Sequence, residues 1–140
     1  MRRLFDDELA DLDADFTEMG MLVSEVIEQA VESFTNRDAV AAQKIIDQDH
    51  QINEREIALE KKTFEMIALY QPVTTDLREI VTILKAVSEL ERAGDHARNI
   101  AHATIKFGDK QKIPVIEQLI GQMGHLLSLI HISEPTRLDV

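Results

Sequence analysis

Leu77-Arg-Glu-Ile-Val-Thr-Ile-Leu-Lys-Ala-Val-Ser-Glu-Leu-Glu-Arg-Ala-Gly-Asp-His-Ala-Arg-Asn-Ile-Ala101 carries an apolar face at Leu77, Ile80, Leu84 and Val87. The steps of three and four make it one side of a helix. The next two positions of that phase are Glu91 and Gly94, where the pattern demands apolar residues, and Asp95 stands one turn beyond Glu91 on the same side. Residues four apart on a helix have Cβ atoms roughly 5–6 Å from each other, so Glu91 and Asp95 can hold one cation together. Gly94 costs a helix about 1 kcal/mol against alanine. What it gains is close approach of a neighbouring helix.

Working outward, the same rhythm organises the rest of the chain. Phe5, Leu9, Leu12, Phe16, Met19, Val23, Val26 and Ala30 alternate steps of four and three, which predicts a first helix from about residue 3 to Phe34. Thr35, Asn36 and Arg37 make a short break and Asp38 is the N-cap of a second, antiparallel helix. Its seam reads Ile45, Asp49, Ile52, Glu56, Leu59, Thr63, Met66, Tyr70, so acidic residues again occupy apolar positions. Gln71-Pro72 ends it, because a residue before proline leaves the α region and proline lacks an amide hydrogen. Thr74 or Thr75 caps a third helix from about Asp76 to Phe107, with Asp76 near its positive end and Gly108 as C-cap. A linker at 110–113 precedes Pro114 and the start of a fourth helix with Val115, Ile116, Leu119, Ile120, Met123 and Leu126. The expected fold is all-α, an antiparallel three-helix bundle with a truncated fourth helix.

Composition narrows the function classes. The chain has 140 residues, 44% hydrophobic and 29% charged, with 3 prolines and 5 glycines, as befits a folded helical protein with an aliphatic core. A formal net charge of −11 opposes the phosphates of nucleic acids, which excludes direct nucleic-acid binding as the expected role. No stretch approaches the roughly 20 apolar residues that span a bilayer, so membrane insertion is not expected and the location read from the sequence is cytoplasmic. With no cysteine, metal donors are restricted to oxygen and imidazole.

Three stretches, Asp49-His-Gln-Ile-Asn-Glu-Arg-Glu56, Gln71-Pro-Val-Thr-Thr-Asp-Leu-Arg78 and Leu90-Glu-Arg-Ala-Gly-Asp-His96 followed by Asn99-Ile-Ala101, resemble the signatures of the PhoU family in order and spacing. The resemblance covers roughly residues 5–107, so residues 1–108 read as one three-helix repeat and 109–126 as a linker and the start of a second. It implies a non-enzymatic adaptor, a negative regulator of phosphate uptake and of phosphate-regulon signalling. It also implies two partners, the ATPase of the phosphate ABC transporter and the sensor histidine kinase of the regulon. Residues 127–137 resemble, residue for residue, a translated sequencing adapter, so 127–140 is read as a non-native tail.

Four carboxylates on two adjoining helices, Asp49 and Glu56 with Glu91 and Asp95, repel one another unless a multivalent cation lies among them. The resemblance adds that family members carry metal clusters on paired Glu/Asp-x-x-x-Asp motifs, of which Glu91 to Asp95 is this chain's clear copy. Asn53, one turn after Asp49, fits the family pattern and can supply an amide oxygen. The expected cofactor is a carboxylate-bound iron, manganese, magnesium or zinc ion. The main alternative is a structural module whose acidic seams are ion-paired by Arg78, Arg92 and Arg98. A di-iron carboxylate enzyme needs Glu-x-x-His on two helices; the chain offers only Asp47-Gln-Asp-His50. His50 and His96 read as surface residues. The stranded apolar side of the fourth helix predicts homo-oligomerisation unless that helix folds back.

Overall fold

The computed structural model describes residues 2–107, 118–119 and 121–125. They are helical and contain no strand. The helices are α1 (Arg2–Thr35), α2 (Ala39–Gln48), α3 (His50–Tyr70) and α4 (Thr74–Phe107), and 118–119 and 121–125 are also helical. Gly108, Pro114, Val115, Ile116, Ile120, Leu126 and the tail at 127–140 lie outside the described residues.

Local chemistry sets the helix ends. Arg37 takes a left-handed backbone with φ 54°. Its amide donates to the Phe34 carbonyl at 3.2 Å, and the Asp38 amide to that of Ser33 at 2.8 Å. This Schellman arrangement satisfies the carbonyls that α1 leaves open. Asp38 then caps α2, its Oδ1 accepting the Ala41 amide at 3.1 Å. At the far end Gln71, pushed out of the α region by Pro72, adopts φ 47° and ψ 54° and donates its amide to the Ile67 carbonyl.

The second helix, expected unbroken from Asp38 to Tyr70, is two helices. At Asp49 the backbone keeps α dihedrals, φ −59° and ψ −30°. However, its carbonyl accepts from Ile52, three residues on, at 3.1 Å and from Asn53 at 3.5 Å. The ladder tightens there, and the regular four-residue pattern restarts at α3.

The chain forms two compact units. The first holds residues 1–23 and 48–95. Its core is Phe5, Leu9, Leu12, Met19 and Val23 of α1, Ile52, Leu59, Thr63 and Met66 of α3, and Ile80, Ile83 and Val87 of α4. Each such aliphatic side chain contributes about 1.5–3 kcal/mol on burial. Register follows from the ion pairs: Lys62 meets Asp15 at 3.4 Å and Arg55 meets Glu18 at 3.2 Å, so α3 runs antiparallel to α1. Arg2 meets Asp76 at 2.6 Å, and Gly20 lies against Leu90, so α4 runs parallel to α1. The unit is thus an up-down-up three-helix bundle.

The second unit holds residues 24–47 and 96–140. Its core packs Ala30, Ala42, Ile45, Ala97, Ile100 and Ala101, with Val26, Ile27, Val31, Phe34, Ile46 and Met123 against it. Of the described residues of the predicted fourth helix, Met123 joins this core, whereas Leu119 is 53% exposed. Alanine dominates here and lets the helices approach closely.

Among the described residues, the fully buried polar ones are Ser33, Thr63 and Thr104. Each returns its hydroxyl proton to its own helix: Ser33 to Ala30 at 2.8 Å, Thr63 to Leu59 at 2.7 Å and Thr104 to Ile100 at 2.9 Å. None is left unsatisfied, as burial requires.

Candidate functional site

Three of the four acidic positions anticipated on the helical seams, Glu56, Glu91 and Asp95, come together in the first unit. Gly94 is buried, and a Cβ placed on it would lie 3.1 Å from Ile52 Cδ1 and 3.4 Å from Ile52 Cγ2. The missing side chain therefore brings α4 down onto α3. One turn along α3 from Ile52 stands Glu56, and Gly94 is flanked on α4 by Glu91 and Asp95. All three carboxylates are half-buried.

Glu56 is the centre of this group. Its Oε2 is buried and has no hydrogen-bond partner among the described residues. Partial burial raises its carboxyl above the ordinary glutamate range, and the charges of Glu91, Glu60 and Asp95 and a hydrogen bond with Glu60 push it in the same direction. Glu91, Glu60 and Asp95 thus act on Glu56 as like charges while one of its oxygens is buried and undonated, which costs free energy at that residue.

Glu60 does not stand out on the apolar seam of the sequence. Its signal is the spacing: Glu56-x-x-x-Glu60 on α3 mirrors Glu91-x-x-x-Asp95 on α4, each pair one turn apart. The other candidates are placed differently. Asp49 is half-buried at the head of α3, makes no side-chain cap bond, and stands seven residues, roughly 10 Å, before Glu56. Asn53, His50 and His96 are exposed. The structure therefore brings together Glu56, Glu91 and Asp95 and adds Glu60. Among the described residues no three histidine, aspartate or glutamate side chains are grouped so as to hold one metal ion as they stand. The cluster is one of charge, and coordination of a single ion requires its side chains to turn inward.

Of the three arginines of the ion-paired alternative, Arg92 pairs with Glu89, its guanidinium reaching that carboxylate at 3.4 Å on the exposed side of α4. A second carboxyl pair lies in the same unit. Burial raises Glu79, and the charge of Asp13, a hydrogen bond with Asp13 and the charge of Asp76 add to it.

Comparison with known proteins shows the family. The PhoU domain profile matches residues 16–104. The chain belongs to the PhoU family. It is 40% identical over 126 residues to the phosphate-specific transport system accessory protein PhoU homolog of Streptococcus pneumoniae serotype 4, covering 90% of this chain and 58% of that relative. It is 34% identical over 127 residues to PhoU homolog 1 of Thermotoga maritima, covering 90% and 55%. Among solved structures, PhoU from Pseudomonas aeruginosa superposes with a TM-score of 0.80 at 30% identity, covering 89% of this chain and 61% of that one. The phosphate transport system regulatory protein PhoU from Streptococcus pneumoniae gives 0.80 at 38%, covering 91% and 59%. The chain thus spans just over half the length of the relatives it matches.

Proposed function

We propose that this PhoU-family chain serves as an accessory regulator of phosphate transport. In this reading it restrains phosphate uptake and phosphate-regulon signalling by docking, without catalysing a reaction. Its partners are the ATPase of the phosphate ABC transporter and the regulon's sensor histidine kinase, which places it in the cytoplasm. Support comes from the relatives, which are phosphate-specific transport system accessory proteins at 40% and 34% identity. Among the described residues no helix is long and apolar enough to cross a membrane, in keeping with a docked accessory chain.

The cation-binding part of the reading rests on the undonated Glu56 Oε2 within a group of four carboxylates. The donor set is oxygen throughout, which suits iron, manganese or magnesium, and zinc with a weaker match. Glu56, Glu60, Glu91 and Asp95 would hold the ion, and a bound cation would offset the like charges that act on Glu56. The chain's own residues do the rest. Gly94 sets the spacing of α3 and α4, and Glu56, whose carboxyl burial raises, must be ionised to bind, so cation binding strengthens as pH rises.

Two measurements test the proposal separately. In a bacterium deleted for its own PhoU, expression of this chain should lower phosphate uptake and a regulon reporter during phosphate-replete growth. Unchanged uptake and reporter overturn the regulator reading. Equilibrium dialysis with manganese should show saturable binding that Glu91→Gln with Asp95→Asn abolishes. Equal binding by the double variant overturns the site.

A further inference from the structure

We propose that the outer face of α3 is a docking surface for a basic amphipathic helix of a partner protein. Ile57, Phe64 and Ala68, spaced seven and four, lie on the side of α3 opposite its buried stripe of Ile52, Leu59, Thr63 and Met66. Ile57 is 64% exposed and Phe64 56% exposed, and Ala68 is exposed beside them. Two large apolar side chains two turns apart on one helix face form the kind of seam that a second helix covers with its own anchors.

Charge identifies the occupant. Carboxylates border the seam on both sides, exposed Glu54 and Glu65 along one and half-buried Glu56 and Glu60 along the other. Two cations of α3 that could neutralise them point elsewhere: Arg55 pairs with Glu18 and Lys62 with Asp15 on the α1 side of the helix. Lys61 shares the outer face, and its long stem adds to the apolar cover while its ammonium reaches water. An apolar stripe between two acidic borders is complementary to an apolar stripe between lysines and arginines, the arrangement that fixes partner choice along coiled-coil flanks. A second copy of this chain does not fit, because it would bring the same acidic borders together on a molecule of net charge −11.

The anchors Ile57 and Phe64 lie outside the cation site, whereas Glu56 and Glu60 belong to both, so the peptide measurements are made in chelator. The probe is a synthetic helical peptide with a leucine seam flanked by lysine and arginine, compared with the same peptide flanked by glutamate, by calorimetry at low and at physiological salt. The intact chain should bind the basic peptide, more weakly as salt rises, and leave the acidic peptide unbound. Ile57→Ser with Phe64→Ser, both exposed in the folded chain, should keep the circular dichroism of the parent and weaken binding about tenfold or more. Equal binding of both peptides, or basic-peptide binding untouched by the double substitution, overturns the proposal. So does sedimentation showing a dimer that the double substitution dissolves, because the face would then belong to a second copy.

Discussion

Glu56→Gln gives the most direct test of the physics of the acidic cluster. The substitution keeps the shape of the side chain and removes its charge. Three like groups act on it, Glu91, Glu60 and Asp95. Like-charge pairs on solvent-facing helix surfaces destabilise by about 0.3 kcal/mol each, so relieving three gains about 1 kcal/mol in cation-free protein at neutral pH. For a chain of this size that raises the melting temperature by roughly 4 °C. With manganese at a hundred times its dissociation constant the parent gains about 2.7 kcal/mol, and the variant, short of one donor, gains much less. The order of stability therefore inverts: the variant melts higher in chelator and lower in manganese. Far-UV circular dichroism melts of both proteins under both conditions read this out. A lower melting temperature for the variant in chelator would refute the reasoning, since it would mean that the Glu56 charge stabilises the bundle.

Gly94→Ala should change stability by less than about 1 kcal/mol, because the gain in helix propensity offsets a contact of 3.1 Å with the movable end of Ile52. Gly94→Leu should cost about 2 kcal/mol or more by forcing α3 and α4 apart, with chemical denaturation measuring both. Glu56 and Glu79 have carboxyls raised in the folded protein, so the folded state binds more protons than the unfolded one above the ordinary carboxylate value of about 4.3. Their stabilising contribution is present below that value and is lost as pH rises through the raised folded values. Glu79→Gln should flatten this part of a stability-against-pH curve, and an unchanged slope would remove Glu79 from the account. Removing residues 109–140 should leave α1 to α4 helical and cost about 1 kcal/mol, because the half-buried Met123 no longer covers the alanine-rich core of the second unit. Collapse of the helical signal would make that segment integral to the fold.

The helices were legible because their apolar seams keep a strict rhythm. Leu9, Leu12, Met19, Val23, Ile52, Leu59 and Met66, named from spacing, are buried. The break at Asp49 was not legible, since nothing in the residue types opposes a continuous helix and the interruption lies in how one carbonyl is shared. Gly94 showed itself as a glycine inside a helical pattern, and its contact with Ile52 is the close approach that such a residue permits. Glu60 escapes a reading by the apolar seam because it sits one residue after Leu59, and only its place four residues after Glu56 signals it. A carboxylate at the border of a seam reaches the same space as one on it, and only the packing of α3 against α4 makes that visible. Asn53 shows the opposite: a residue that fits a motif and yet is exposed.

Ser33, Thr63 and Thr104 each close their hydrogen bond within a single helix. These fully buried residues therefore supply no polar bolt from one helix to the next. In the first unit register is held by side-chain shape and by the ion pairs of α1 with α3 and α4, which water can substitute. A helix can slip lengthwise by a fraction of a turn without breaking any of these three buried hydrogen bonds. Small axial shear therefore costs none of these buried hydrogen bonds, and in the first unit the close Gly94–Ile52 crossing is a contact that such a shift would have to pass.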